Sequence, residues 1–259
     1  APTADNSAGA GAVPTAGSVK IDGSNLGSAL AGDIAATRIS ANTTSGFSIV
    51  SYTGADVAGN TVAHGLSQAP ELIIVKDLWS PKDWQGYDVM GGPTKYIQLN
   101  DNGGYATDTT RWNDTAPTAS VFSLGTSDKV NDAGDTYVAY CFHTIEGYSK
   151  IGNYVGNGVD NAGPFVYLGF QPAWVLIKAT SAARDWWISD NKRDPYNDDA
   201  IRVLWPNDTG AEANYTNYDM DYVSNGFKVM GDNNKVNENN TTYLYLAYAE
   251  SPFKTTNAR

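Results

Sequence analysis

The stretch GYSKIGNYVGNGVDNAGPFVYLGFQPAWVLIKATSAARDW, Gly147–Trp186, restates an earlier one, GFSIVSYTGADVAGNTVAHGLSQAPELIIVKDLWSPKDW, Gly46–Trp84. The two align at an offset of 102 residues, pairing Pro70 with Pro172, Lys76 with Lys178, Asp83 with Asp185 and Trp84 with Trp186. Each contains a short apolar run opened by proline and closed by lysine, PELIIVK and PAWVLIK. Such runs read as strands buried on both faces. The match resumes downstream. VFSLGTSDKVN parallels GFKVMGDNNKVN and pairs Phe122 with Phe227 and Val130 with Val236. TYVAYCFHT parallels TYLYLAYAE and pairs Tyr137 with Tyr243 and Phe142 with Tyr248. The offset grows to 105 or 106, as small insertions in loops produce.

The chain therefore reads as an internal duplication, with a period far longer than a solenoid or propeller unit. YVAYCFH is apolar on both alternating sets and reads as a central strand. Between the strands lie TGADVAGN, NDNGG, GNGVDNAG and GDNNKVNENN, which are turn chemistry throughout. No stretch has a convincing helical period. The expected fold is all-β: two tandem pseudo-symmetric β-sandwich repeats, jelly-roll-like, over residues 46–146 and 147–259. TIEGYSK joins them without a flexible linker, so they are expected to pack rigidly.

Residues 1–45 differ. They contain no aromatic residue, and about half are Ala, Gly or Ser. The segment reads as an extended attachment or oligomerisation element that builds no core of its own. Val19, Ile21, Leu26, Leu30, Ile34 and Ile39 recur in it among turn residues. Burying each is worth about 1.5–3 kcal/mol. A homotrimer would supply partners along its three-fold axis.

Composition narrows the function. The 259 residues carry a net charge of −11, which repels phosphate backbones and argues against nucleic acid. One cysteine, Cys141, excludes an intrachain disulfide, and two histidines make a zinc site unexpected. No apolar run is long enough for a membrane-spanning helix, and no intact signal peptide is visible.

Residues shared by both copies are expected to serve the fold. The Asp83–Trp84 and Asp185–Trp186 pairs read as loop anchors, with the Asp accepting backbone hydrogen bonds. Cys141 aligns with Ala247 and reads as a small hydrophobe. No Ser/His/Asp constellation assembles, so no catalytic residues are expected. Asp198, Asp199 and Asp232 are weak candidates for oxygen ligands of Ca2+, without EF-hand spacing. No other cofactor is implied.

Unmatched aromatics are the better candidates for ligand binding: Arg111, Trp112 and Asn113 in TRWNDT, then Trp187, Trp205, Tyr215 and Tyr218. Trp79 likewise has no Trp counterpart in the second copy. Aromatic faces beside Asp, Asn and Arg suit a sugar, a subunit interface or a plain core.

SGFSIVSYTG, GNTVAHGL, TRWNDTAPTASVF, GDTYVAYCF, EGYSKIG, PAWVLIK, SNGFK and AYAESPFK together resemble a domain of tail-fibre and related virion proteins of marine and cyanobacterial phages. These pieces span nearly all of residues 45–259. GSALAGDIAATRI is similar to short spacer motifs near fibre domains. The chain departs from the pattern at His143-Thr144, where the family typically has Ala-Glu. The resemblance implies a non-enzymatic, host-facing role on the virion surface, extracellular after assembly in the host cytoplasm. Implied partners are a host glycan or envelope protein, other virion proteins through residues 1–45, and two further copies in a homotrimer. The alternatives are a purely structural shaft or capsid decoration and a virion-associated glycan depolymerase, which needs two carboxylates about 5–10 Å apart across a cleft.

Overall fold

The structure is a computed structural model, which describes residues 13–194, 197 and 201–252, with the side chains of Ala213 and Tyr215 outside the description. The chain is nearly all β and divides into two compact units. The first comprises residues 1–98 and 106–143. The second comprises residues 99–105 and 144–259.

The first unit contains β1 (Val19–Ile21), β2 (Ser24–Asn25), β3 (Ala36–Asn42), β4 (Phe47–Thr53), β5 (Thr61–Ala63), β6 (Leu72–Asp77), β7 (Gln85–Asp88), β8 (Lys95–Gln98), β9 (Ala106–Thr107), β10 (Val121–Ser123) and β11 (Thr136–Phe142). Two four-residue helices join them, α1 (Thr109–Trp112) and α2 (Asp128–Asn131). Nine strands form one sheet in the order β2-β1-β3-β4-β11-β6-β7-β8-β9, parallel only at β1–β3. The run YVAYCFH is β11, central between β4 and β6 as its two apolar faces require. β5 and β10 form a separate ladder. Its Val62 and Phe122 join the core, with Phe122 edge-on to Tyr52 at 6.0 Å.

The second unit contains β12 (Ser149–Val155), β13 (Phe165–Tyr167), β14 (Pro172–Ala179), β15 (Trp187–Asp190), β16 (Ile201–Val203), β17 (Ala213–Tyr215), β18 (Met220–Val223), β19 (Gly226–Val229), α3 (Asn234–Asn237) and β20 (Thr242–Ala249). The main sheet runs β12-β20-β14-β15, beside ladders β13-β19-β18 and β16-β17. PAWVLIK lies within β14, buried along most of its length.

Several contacts occur once in each unit. Tyr52 donates to Val130 O and Tyr154 to Val236 O, both at 2.7 Å. Tyr52 stacks on Tyr137 at 5.2 Å, and Tyr154 on Tyr243 at 5.0 Å. The fully buried amides Asn131 and Asn237 follow each other closely. Asn131 accepts from Ala55 N and donates to Gly125 O; Asn237 accepts from Asn157 N and donates to Gly231 O. Burying an amide without partners is costly, so these residues fix the loops they bond. α2 and α3 are held open at their starts by Ser127 and Asn233, whose side chains accept from the backbone two residues on.

The N-terminal segment corrects the sequence reading. Its apolar residues need no neighbouring chain, because Val19, Leu30, Ile34 and Ile39 are buried in the first unit's core, with Ile21 and Leu26 packed against it. The unit's boundary therefore lies well before residue 46. β3 adds to β4 through Arg38–Ser51, Ser40–Ile49 and Asn42–Phe47. Alternation along ATRISAN explains the fit: Ala36, Ile39 and Ala41 face inward, across a register shift between Ala36 and Arg38. These residues no longer supply a reason for a three-fold axis.

The second unit is completed by Leu99–Tyr105 instead. Tyr105 N donates to Thr180 O at 2.8 Å, and Lys178 Nζ donates to Asn102 O at 2.8 Å and to Arg184 O. Gly104 is required there, because a Cβ would sit 2.6 Å from Thr180 O. Burial lowers the Lys178 pKa to about 8. Among the described residues no helix is long and apolar enough to cross a membrane.

Candidate functional site

Most of the residues singled out as ligand binders are structural. Trp112 is 2% exposed, and its indole N–H donates to Lys95 O at 3.1 Å. Arg111, 6% exposed, reaches Ser127 Oγ and Asp108 and lies 4.7 Å over the Tyr96 ring. Asn113 caps α1 in the left-handed region, φ 52°, which asparagine tolerates better than most residues. Trp187 is fully buried on β15. Trp205 is buried beneath the Lys235 ammonium, 4.6 Å from its ring, and edge-on to Tyr218, itself buried. Tyr215 lies on β17 with its side chain outside the described residues. These positions look functional in sequence because they are unmatched. Trp112, Trp187, Trp205 and Tyr218 instead pack in the cores of their own units.

The weak metal candidates fare no better. Asp198 and Asp199 lie outside the described residues. Asp232 lines an open cavity of about 370 Å³ with Asp160 and Asp219. Among the described residues no three His, Cys, Asp or Glu side chains are placed to hold a metal ion. The D-W carboxylates accept from side chains of other segments. Asp83 takes Gln98 Nε2 and Lys129 Nζ; Asp185 takes Asn207 Nδ2 and Lys235 Nζ.

Trp79 faces solvent, 78% exposed, next to Leu78 at 58%. Its loop follows β6 directly and is firmly fastened. The buried Asp77 carboxylate accepts from Trp79 N at 2.7 Å and Ser80 N at 2.8 Å, closing a tight turn. Leu78 N donates to Thr136 O at 2.8 Å. Ser80 Oγ donates to Asp135 Oδ2 at 3.0 Å. Lys82 pairs with Asp128, and this contact raises the lysine pKa and lowers the aspartate's. The loop thus presents a wide ring on a fixed turn, with the Ser80 hydroxyl and the Lys82 ammonium in the same segment and the Asp135 and Asp128 carboxylates bonded to them. The second unit aligns Thr180-Ser181 with Leu78-Trp79 and has no ring to present. The sequence signal is Asp-x-x-Ser-Pro after a buried strand, which forces a turn beneath the aromatic.

His64 and Cys141 are fully buried. Burial lowers the His64 pKa to about 4, and its ring accepts from Leu66 N and contacts Thr118 O. Burial pushes the Cys141 thiol up to about 12.

Residues 17–252 match the family described as "Domain of unknown function (DUF7483)". No curated protein and no solved structure matches the chain.

Proposed function

We propose that this protein, which belongs to the DUF7483 family, is a phage virion-surface or tail-fibre protein that attaches to the host through the Trp79 loop and performs no catalysis. The observation that carries the reading is a tryptophan 78% exposed on a turn pinned by a buried carboxylate. An exposed ring in a mobile loop loses entropy when it binds. A ring on a turn whose backbone is already bonded loses less. Covering a tryptophan removes about 150–250 Å² from water, on the order of 4–6 kcal/mol at 25 cal/mol per Å² before association costs. A sugar ring stacks on such a face, while Ser80, Asp135 and Lys82 offer donors and acceptors to its hydroxyls. The motif resemblance to virion proteins supplies the setting, and the acidic surface suits a neutral or basic ligand better than a polyanion.

The test is a glycan array and a whole-cell adsorption assay on the full chain and on Trp79→Ala. The reading expects binding that falls at least about tenfold in the variant, with the thermal midpoint unchanged, because the ring supports no core. Release of reducing ends from host polysaccharide would make the protein a depolymerase. Binding to no host surface would leave a purely structural component and contradict the proposal.

A further inference from the structure

Two strands of the first unit are covered by one N-terminal run. β3 pairs along the outer edge of β4. Just before it, Asp33 N and Ile34 N both donate to Thr61 O of β5, at 2.9 and 3.0 Å, and Leu30 and Ile34 are buried.

The matching strands of the second unit are β12 and β13. Residue 153 aligns with 51 at the offset of 102, and Val166 opposes Phe227 as Val62 opposes Phe122. Among the described residues β12 ends its sheet, paired only with β20. Its outward backbone groups belong to residues 149, 151, 153 and 155, since antiparallel pairing alternates. Ser149 is bonded to Ile145, and Ile151 N to Thr144 Oγ1 at 3.1 Å. Among the described residues, Asn153 and Val155 have no such partner, and both are exposed. Among the described residues β13 is also an edge strand, with Phe165 49% and Tyr167 60% exposed; Val155 of β12 is 53% exposed. The two edges are neighbours: Lys150 of β12 donates to Tyr167 O at 2.7 Å and lies 5.4 Å over its ring.

We propose that the β12–β13 edge of the second unit is a docking site for an extended strand of a different polypeptide, with small and β-branched residues at alternate positions as in Ala36–Asn42. The strand would pair antiparallel with Asn153 and Val155 and cover Phe165 and Tyr167, which is β-augmentation of an open sheet. The first unit supplies the precedent in register and in side-chain pattern. Residues 30–42 of a second copy are not the donor, because they are already committed to that copy's own first unit. Within the proposed role, the donor is another component of the same assembly, and this inference stands whether or not Trp79 binds a glycan.

The probe is a synthetic peptide of residues 27–45, added to the full chain and followed by site-resolved hydrogen exchange. The expected result is saturable one-to-one binding, with exchange at Asn153 and Val155 slowed at least about tenfold and Ser51 unchanged. Asn153→Pro removes an outward N–H at an edge, where proline is tolerated, and is expected to abolish binding while the fold persists. Phe165→Lys is a second variant, expected to weaken binding without touching the ladder. Absence of slowed exchange at millimolar peptide would overturn the proposal. So would protection of the same amides by self-association of the chain alone, which would assign the edge to a second copy.

Discussion

The first unit reaches its full sheet with help from residues 19–42, while among the described residues the second has no counterpart to that run, and β12 and β13 stay at the edges of their sheets. In exchange, the second unit takes Leu99–Tyr105 against β14, held by Lys178. Its aligned counterpart Lys76 instead bonds the next carbonyl, Asp77 O, at 2.8 Å. Similar stretches of sequence thus make similar inner contacts, but the segment that finishes each unit comes from elsewhere. What surrounds a stretch decides which of its edges and rings meet water.

The largest effect is expected from removing the first unit's completing run. A chain lacking residues 1–42 loses Val19, Leu30, Ile34, Ile39 and Ala41 from one core. Ile39→Ala alone is expected to cost about 2–5 kcal/mol. Thermal unfolding with probes in each unit should show the first unit's transition lost or strongly lowered in the deletion. An unchanged first transition would mean the run is a tether after all.

The two buried amides give a sharper comparison. Asn131→Ala and Asn237→Ala each leave a backbone N–H and a carbonyl without partners. Each is expected to cost about 2–3 kcal/mol, read by chemical denaturation as loss confined to its own unit. A large cost in one unit and none in the other would break the correspondence.

A pH-dependent difference, reaching a similar size only near pH 4, belongs to the first unit alone. His64 is held neutral, since its Nδ1 accepts from Leu66 N and burial lowers its pKa to about 4 from 6.5. The unfolded chain therefore binds more protons than the folded one between these values. Stability from this group is present above about 6.5 and falls as pH drops toward 4, by up to roughly 3 kcal/mol. His64→Gln should flatten that slope in a melting-temperature series from pH 7 to 4.

The strands were legible because short apolar runs between turn residues have few alternatives. PELIIVK, PAWVLIK and YVAYCFH lie where their patterns place them, in β6, β14 and β11. The N-terminal run was misread because its apolar residues are spread among Gly, Ala and Ser, and such spacing looks like a tether until β4 offers it an edge. The site was misread for a different reason. Aromatic identity does not state which face a residue takes, so Trp112, Trp187 and Trp205 went inward while Trp79, lifted by the Asp77 turn, stayed out.

The difference between the two units is tested most directly by amide hydrogen exchange on the unmodified full chain, comparing Ile49 and Ser51 with Asn153 and Val155. The structure predicts protection of orders of magnitude at Ile49 and Ser51, which β3 covers, and exchange near the unprotected rate at Asn153 and Val155. Equal protection at both pairs in the isolated protein would contradict it.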